Sequence, residues 1–504
     1  MRLPHLAAFW DNAVLQQPAS RAVVDGDRVW TYAEADALVA RLAGYLRELG
    51  VQPGDRVALA LPNCAAFLLA YWATLRLGAV VVPVNYRLGA DELAFVFSDS
   101  EPSVVFLHET LHEKVAPALA ASGVSAHVLP VAAGSATPEG LEAATGPGVA
   151  QAAAIAPEDL AIILYTSGTT GLPKGAMMRH ADLLFNVHCA LLAHSFRHED
   201  VHLLVIPCFA PTAAYSLFPS CAYLASAVVM APVAQPAELC ALVERWRCST
   251  LFGVPTLFNL LMHDPAVRAA DLSSLRLIAY SGSPMPAGTI ALLRERFPQV
   301  ALRNFFGLTE TISVTHVLPS ADAATRADSI GKLLPEVYAR IADEAGRDVP
   351  PGEVGELLFR RDCVIPGYWR QPGRLEESLR EGWFHTGDLA RRDEWGYFYV
   401  QGRKKEMIIV AGQNVYALEV EAVLLRHPGV RDCAVIGVPA TGARAALGEL
   451  VKAVVVAQPG ATLTELEIKR HCAETLPGYK RPQIVEFRDE LPRNATGKVL
   501  KREL

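Results

Sequence analysis

Short apolar runs and longer amphipathic stretches alternate along the first part of the chain. The runs Val57–Leu61 and Ala79–Val82 have the length and the wholly apolar content of buried strands. A helical spacing of apolar residues follows Thr31, and Thr31 with Glu34 has the pattern of a capping box. Strands that are separated by helical lengths indicate parallel βαβ units with helices covering the sheets. We therefore predict an α/β fold for the large N-terminal part.

The pattern changes after Gly402. Strands are predicted at 432–438, 450–457 and 484–487. Amphipathic helices are predicted at 417–427 and at 464–476, the second behind a capping box of Thr462 and Glu465. This mixture is typical of a small α+β domain. We predict an N-terminal domain over 1–402 and a C-terminal domain over 403–504.

Composition narrows the class of protein. The chain has 504 residues, of which 51% are hydrophobic and 20% are charged, which is typical of large packed cores. A net charge of -7 without a basic stripe argues against nucleic acid as a partner. Nine cysteines form no C-x-x-C pair, so neither a zinc site nor a full disulfide framework is indicated. A cytoplasmic location is expected.

One long segment needs a separate interpretation. Residues 201–237 contain no Asp, Glu, Lys or Arg, and by length alone they resemble a membrane span. Five prolines within the segment would break such a helix repeatedly. We predict buried core and pocket wall here, with no membrane span.

The most informative motif is Tyr165-Thr-Ser-Gly-Thr-Thr-Gly-Leu-Pro-Lys-Gly175, which follows the apolar run 160–164. Glycines and hydroxyls after a strand can turn backbone N–H groups toward a phosphate chain. A Walker A loop has the spacing G-x-x-x-x-G-K-[ST] and leads into a helix. The spacing here is different, so Walker-type NTP hydrolysis is disfavoured. A plain turn-rich loop is the alternative when the motif is taken alone.

Four further segments occur in a fixed order after this loop. They are Phe306-Gly-Leu-Thr-Glu310, Gly382-Trp-Phe-His-Thr-Gly-Asp388, Gly402-Arg-Lys-Lys-Glu-Met-Ile408 with Gly412, and Asn494-Ala-Thr-Gly-Lys498. With these motifs the chain resembles the adenylate-forming superfamily, in its acyl-CoA synthetase branch, across nearly its whole length. The resemblance implies a large N-terminal domain and a small mobile C-terminal domain. It implies ATP, Mg²⁺, coenzyme A and a small carboxylic acid as cofactors and partners.

The resemblance also implies roles for residues of the nucleotide site. The loop holds the pyrophosphoryl end of ATP through Thr166, Ser167, Gly168, Thr169, Thr170, Gly171 and Lys174. Glu310 would ligate Mg²⁺, and Thr309 would contact the α-phosphate. Phe306 stands where the family usually has tyrosine, and its ring would stack on adenine.

Further implied roles fall late in the chain. Asp388 would accept hydrogen bonds from the ribose, and Arg403 matches a ribose or phosphate role. Lys498 matches the catalytic lysine that bridges the carboxylate and the α-phosphate. Lys405 falls at the hinge position, about which the C-terminal domain swings to present the Gly412 region for thioester formation.

The substrate pocket departs from the family pattern. Many acyl- and aryl-CoA synthetases carry Phe-His, and amino-acid-activating domains carry Phe-Asp, where this chain has Phe209-Ala210. A buried ammonium without a counter-charge is costly, so an amino acid is disfavoured as substrate. The other pocket positions implied are neutral or apolar: Tyr215, Ser281, Gly282 and Ser283. We expect a fatty acid, with an aryl acid next.

Alternatives stay open at this point. A free-standing adenylation enzyme that loads an acyl group onto a carrier-protein thiol shares every motif above. Luciferase-like oxygenation uses the same fold. A purely binding role is disfavoured because both Glu310 and Lys498 are present.

Overall fold

The computed structural model describes residues 4–144, 146–166, 172–232, 235–283, 285–312, 314–493 and 499–504. The chain divides into two compact units, and the first comprises residues 1–338 and 360–379. The second comprises residues 339–359 and 380–504. The predicted α/β fold with a large N-terminal domain and a small C-terminal domain is confirmed. The predicted boundary near residue 402 stays a prediction.

The first unit contains a nine-stranded sheet within its described residues. Its strands, in spatial order, are Lys332–Leu333, Val314–Leu318, Ala301–Gly307, Leu277–Tyr280, Thr250–Gly253, Val201–Leu204, Ala227–Met230, Arg21–Asp25 and Arg28–Thr31. The six strands from Ala301–Gly307 to Arg21–Asp25 are parallel, and antiparallel strands close both edges. The carboxyl ends of parallel strands therefore meet along one edge, where ligands bind in open α/β sheets.

A second sheet of the same unit carries the predicted phosphate loop. Its order is His127–Val131, Val104–His108, Arg56–Ala60, Val80–Pro83, Leu160–Thr166 and Lys174–Arg179. The first five strands are parallel, and the last pair is an antiparallel hairpin.

Helices cover these sheets as the sequence pattern predicts. Those of the first unit are Leu6–Gln16, Tyr32–Glu48, Ala65–Arg76, Ala90–Ser100, His112–Ala121, His180–His194, Phe218–Leu224, Pro236–Trp246, Pro255–His263, Pro265–Ala269 and Ala287–Arg296. Every residue of Ala65–Arg76 is buried. Its terminal Arg76 is 1% exposed and is tolerated there because Asp11 and Asp36 accept its hydrogen bonds at 2.8 and 2.5 Å.

The second unit is built from smaller sheets. One contains Ala339–Ala342, Val354–Arg360, Trp383–Arg392, Leu379–Arg380 and Phe398–Arg403. A hairpin joins Ile408–Val410 to Gln413–Val415, and a further sheet holds Val430–Pro439, Glu449–Ala457 and Ile484–Phe487. Helices Ala417–Leu424 and Glu465–Thr475 pack on that sheet around a core that includes Val420, Val451 and Ile468.

Local predictions are mostly confirmed, with two corrections. The Thr31/Glu34 capping box is present. The box predicted at Thr462 and Glu465 is wrong, because Thr464 caps the later helix with Glu467. Leu463 instead packs against the core, which fixes the helix start after it. The helix predicted over 417–427 ends at Leu424, three residues earlier.

The uncharged segment folds as several short elements. Strands Val201–Leu204 and Ala227–Met230 flank a π-helical turn at Thr212–Leu217 and the helix Phe218–Leu224. Within the described residues, the chain has no helix with the length and apolar character needed to cross a bilayer.

Candidate active site

The predicted phosphate loop connects two antiparallel strands. Leu160–Thr166 enters it and Lys174–Arg179 leaves it, with Thr166 paired to Lys174 in the ladder. A Walker A loop leads into a helix, whereas this loop leads into a strand that begins at Lys174. The structure therefore agrees with the prediction that this is not a Walker A loop. Ser167, Gly168, Thr169, Thr170 and Gly171 lie outside the described residues.

Gly175 shows why the hairpin requires glycine just after Lys174. A Cβ at this position would lie 2.8 Å from Ile163 Cγ2 and 3.2 Å from Trp369 Cβ. The backbone N–H of Trp369 donates to the Gly175 carbonyl at 2.7 Å. A second stretch of chain, residues 365–369, therefore packs directly on the phosphate hairpin.

The same stretch is tied to the turn that carries Glu310. This 3₁₀ turn spans Thr309–Thr311, and Leu308 alone separates it from strand Ala301–Gly307. The Ile365 N–H donates to the Glu310 carbonyl at 2.9 Å. The Tyr368 hydroxyl donates to Glu310 Oε1, also at 2.9 Å. Residues 365–369 thus bridge the phosphate hairpin and the predicted metal-binding turn.

Lys174 completes this cluster. Its ammonium lies 5.3 Å from the centre of the Tyr368 ring, in a cation–π contact. Burial, followed by the nearby Arg374 charge, lowers the pKa of Lys174, while Glu310 opposes the shift. Burial and the Glu310 charge raise the pKa of Tyr368, so its hydroxyl keeps its proton and remains a donor. The structure brings together Lys174 and Glu310, which are 136 positions apart in sequence.

Phe306 lies in strand Ala301–Gly307 and Thr309 is the first residue of the turn that follows it; both are half-buried. The Phe306 ring meets His316 edge-on, with ring centres 5.8 Å apart. Thr315 Oγ1 donates to the Phe306 carbonyl at 3.1 Å and holds the backbone there. An aromatic face next to the phosphate cluster suits the predicted adenine contact.

Phe209 and Ala210 lie on the segment that follows strand Val201–Leu204. The Phe209 ring meets Tyr86 edge-on at 5.1 Å. Asn63 fixes the preceding backbone: its Nδ2 donates to the Ile206 carbonyl at 2.9 Å and its Oδ1 accepts from the Cys208 N–H at 2.8 Å. Because this buried asparagine pairs with one backbone carbonyl and one backbone N–H of the segment, it holds the segment in one conformation.

Two other predicted pocket segments have different exposure. Tyr215 lies on the π-helical turn and is 2% exposed. Ser281 is half-buried, whereas Gly282 and Ser283 are exposed at the carboxyl end of strand Leu277–Tyr280. Gly282 has φ +92°, a left-handed conformation that favours glycine.

The second unit contains its own predicted nucleotide-binding pair. Asp388 and Arg403 face each other on adjacent antiparallel strands. Arg403 Nε donates to Asp388 Oδ1 at 2.7 Å, and Arg403 Nη1 donates to the Thr386 carbonyl at 3.1 Å. The Asp388 N–H is itself held by Thr386 Oγ1 at 2.9 Å. The guanidinium is therefore oriented by two groups before any ligand arrives.

Lys405 and Gly412 lie just after this pair in sequence. Lys405 is exposed within the 3₁₀ turn Lys404–Glu406, which directly follows strand Phe398–Arg403. Gly412 lies in the tight turn of the next hairpin with φ +77°. Lys498 lies outside the described residues.

Sequence reasoning missed Tyr368 and Asn186. Tyr368 belongs to Pro366-Gly-Tyr-Trp369. The Pro-Gly pair is a turn signal, and the two aromatic residues after it are the one hint in the sequence that this turn packs against another part of the protein. Asn186 lies inside the helix His180–His194 and has no motif around it, so its bonds across the fold leave no sequence signal.

Comparison with known proteins places these features in a family. Residues 10–369 match the family described as AMP-binding enzyme, and residues 419–498 match the AMP-binding enzyme C-terminal domain. The first match covers the phosphate hairpin, the Glu310 turn and Tyr368.

Individual relatives span the whole chain. It is 38% identical to a feruloyl-CoA synthase of Amycolatopsis sp, covering all of this chain and 99% of the relative. It is 32% identical to a long-chain-fatty-acid–CoA ligase of Escherichia coli O6:H1, covering all of this chain and 94% of the relative. Among solved structures, ATP-bound MatB from Rhodopseudomonas palustris superposes with a TM-score of 0.88 at 32% identity, covering 99% of this chain and 98% of that one.

Proposed function

The chain belongs to the AMP-binding enzyme family, and from this premise we propose that it is an ATP-dependent ligase joining an apolar carboxylic acid to coenzyme A. The observation that carries the proposal is the cluster of Lys174, Tyr368 and Glu310 beside the phosphate hairpin. The two relatives of the chain named above are a CoA synthase and a CoA ligase.

The chemistry needs charge stabilisation and no enzyme nucleophile. The carboxylate oxygen attacks the α-phosphorus of ATP, and pyrophosphate leaves with its bonding electrons. Negative charge grows on the leaving oxygens, where a preorganised cation lowers the barrier. Lys174, at the exit of the phosphate hairpin, is suited to that role because burial keeps it from being fully screened by water.

Glu310 fits a Mg²⁺ ligand. Its Oε1 accepts a hydrogen bond from Tyr368, and no described residue donates a hydrogen bond to its Oε2. No cluster of three His, Cys, Asp or Glu side chains suited to a metal is found among the described residues. One carboxylate is sufficient for Mg²⁺, which is usually held by one or two carboxylates with substrate phosphates and water. When bound with ATP, Mg²⁺ would neutralise part of the phosphate charge.

In the second unit, Asp388 and Arg403 are proposed to bind the ribose and phosphate of the nucleotide. Lys498 is proposed to bridge the carboxylate and the α-phosphate during adenylation. Lys405 is proposed as the hinge that brings the Gly412 region into use for thioester formation. A hinge needs only a few residues that absorb a backbone change, and the exposed turn at 404–406 meets that need.

The acid is proposed to be apolar. Ala210 offers no counter-charge for an ammonium group, and Phe209 and Tyr215 beside it are neutral and largely buried. Fatty acids are the first expectation from sequence. Aryl acids are the second, and the feruloyl-CoA synthase relative specifically favours them.

A panel of carboxylic acids tests this proposal. The purified chain is given ATP, Mg²⁺ and one acid at a time, with and without CoA, and AMP, pyrophosphate and acyl-CoA are quantified. Fatty acids of several lengths, cinnamic-type acids and free amino acids form the panel. Equimolar AMP and acyl-CoA from an apolar acid supports the proposal. Activity confined to amino acids, or AMP release without acyl-CoA for every acid, contradicts it.

A further inference from the structure

Tyr215 has a hydroxyl that the protein itself does not use. The side chain is fully enclosed, and among the described residues the hydroxyl has no hydrogen-bond partner. A buried polar group without a partner destabilises a fold, so native structures rarely retain one. Burial, followed by the charge of Glu310, raises the pKa of Tyr215, so the hydroxyl stays protonated and can donate.

The backbone that carries Tyr215 is anchored by the residues before and after it in sequence, Ala214 and Ser216. Tyr215 lies on the π-helical turn Thr212–Leu217, a geometry that is rare and frequent at functional sites. The Tyr71 hydroxyl donates to the Ala214 carbonyl at 2.9 Å and anchors the turn from one side. A turn held in this way keeps the tyrosine ring in a fixed position.

Asn186 links this turn to the Glu310 turn. Ser216 Oγ donates to Asn186 Oδ1 at 2.9 Å. Asn186 Nδ2 donates to the carbonyl of Ile312 at 2.6 Å, one residue after the turn Thr309–Thr311. One buried amide therefore fixes the position of Tyr215 relative to Glu310.

We propose that the Tyr215 hydroxyl donates a hydrogen bond to the carboxylate of the acid substrate and positions it for attack on the α-phosphorus. The inference rests on the proposed function. Tyr215 supplies a hydrogen-bond donor five residues after Ala210, whose own side chain has none; the resemblance described above implies histidine at that position in many acyl- and aryl-CoA synthetases. The hydrogen-bond acceptor that the hydroxyl lacks within the described protein is then the carboxylate of the substrate. A charged acceptor of this kind forms a stronger hydrogen bond than a neutral one.

The test is ATP–pyrophosphate exchange, which reports adenylation alone, on wild type and Tyr215→Phe. We expect kcat/KM for the acid to fall about 10- to 100-fold, the range for losing a hydrogen bond to a charged group. The KM for ATP should stay unchanged. The melting temperature should stay equal or rise, because the variant loses a buried hydroxyl that has no protein partner.

Tyr280→Phe is the matched control. Its hydroxyl is also buried without a partner in the described structure, but it lies in the apolar core beside Phe258. We expect its kinetics to match wild type. A Tyr215→Phe variant with unchanged kcat/KM for the acid would overturn the inference, as would an equal loss in Tyr280→Phe or a matching rise in KM for ATP. Failure of wild type to exchange pyrophosphate with any acid would instead overturn the proposed function.

Discussion

The hydroxyl of Tyr368 donates a hydrogen bond to Glu310 Oε1 across 58 positions of sequence, at 2.9 Å. The same tyrosine ring lies under the Lys174 ammonium. One side chain thus orients the carboxylate proposed to ligate Mg²⁺ and supports the lysine proposed to bind phosphate. Positioning residues of this kind matter because catalysis here depends on placing cations accurately.

Tyr368→Phe tests that relationship. The ring and its cation–π contact remain, while the bond to Glu310 is lost. We expect adenylation at sub-saturating Mg²⁺ to fall about 10-fold, which corresponds to one hydrogen bond to a charged group. High Mg²⁺ should restore most of the rate if the carboxylate is only misoriented. A Mg²⁺ titration of pyrophosphate release measures this, and an unchanged curve would contradict the positioning role.

Glu310→Gln should have a larger effect. The amide keeps the shape and can still accept from Tyr368, but it loses the charge that attracts the metal. We expect the adenylation rate to fall by a factor of about 10² to 10³, like removal of one preorganised electrostatic group. Glu377→Gln, at an exposed carboxylate near Lys174 in the same unit, is a charge-matched control. Wild-type pyrophosphate release from Glu310→Gln at saturating Mg²⁺ would remove Glu310 from the metal site.

Stability should decrease in acid because of buried histidines. Burial lowers the pKa of His194 to about 3 and that of His202 to about 4, from an ordinary value of 6.5. The unfolded chain therefore takes up these protons first as the pH falls. The contribution of these two neutral histidines to the free energy of unfolding is therefore complete above pH 6.5, and it is lost as the pH falls toward 3 to 4.

Urea unfolding between pH 7.5 and 5 checks this expectation. His194 packs among the rings of Phe196, Phe252 and Phe305 at 5.0 to 5.1 Å, so phenylalanine should be accommodated there. We expect the His194→Phe variant to lose part of the pH dependence of its unfolding free energy. An identical slope in the variant and in wild type would show that the acid sensitivity arises elsewhere.

The sequence predicts this fold well where local patterns decide the structure. The Thr31 cap and the strand before the phosphate loop depend on neighbouring residues, and both are found. The Thr462 cap is wrong because two overlapping T-x-x-E patterns compete, and packing of Leu463 on the core decides between them. The same limit applies to the site: Glu310 belongs to a motif, whereas Tyr368 and Asn186 reach it through contacts between distant segments.

Lys498→Ala separates the two half-reactions. The lysine is proposed to act only in adenylation, so its loss should slow ATP-dependent acyl-AMP formation by about 10² to 10³ or more. The same variant, given preformed acyl-AMP and CoA, should form thioester at close to the wild-type rate. Equal failure in both assays, with a melting curve like that of wild type, would contradict a second conformation for thioester formation.

The central claim is that the acid is activated as an acyl adenylate and then transferred to CoA. The most direct measurement uses a carboxylic acid labelled with ¹⁸O in both carboxyl oxygens. Attack of one labelled oxygen on the α-phosphorus, followed by cleavage of the acyl C–O bond by the CoA thiol, leaves that oxygen in AMP. Mass spectrometry of the products should therefore find one ¹⁸O per AMP and none in pyrophosphate. ADP in place of AMP, alongside labelled inorganic phosphate, would indicate attack on the γ-phosphorus and an acyl-phosphate route, and would contradict the account.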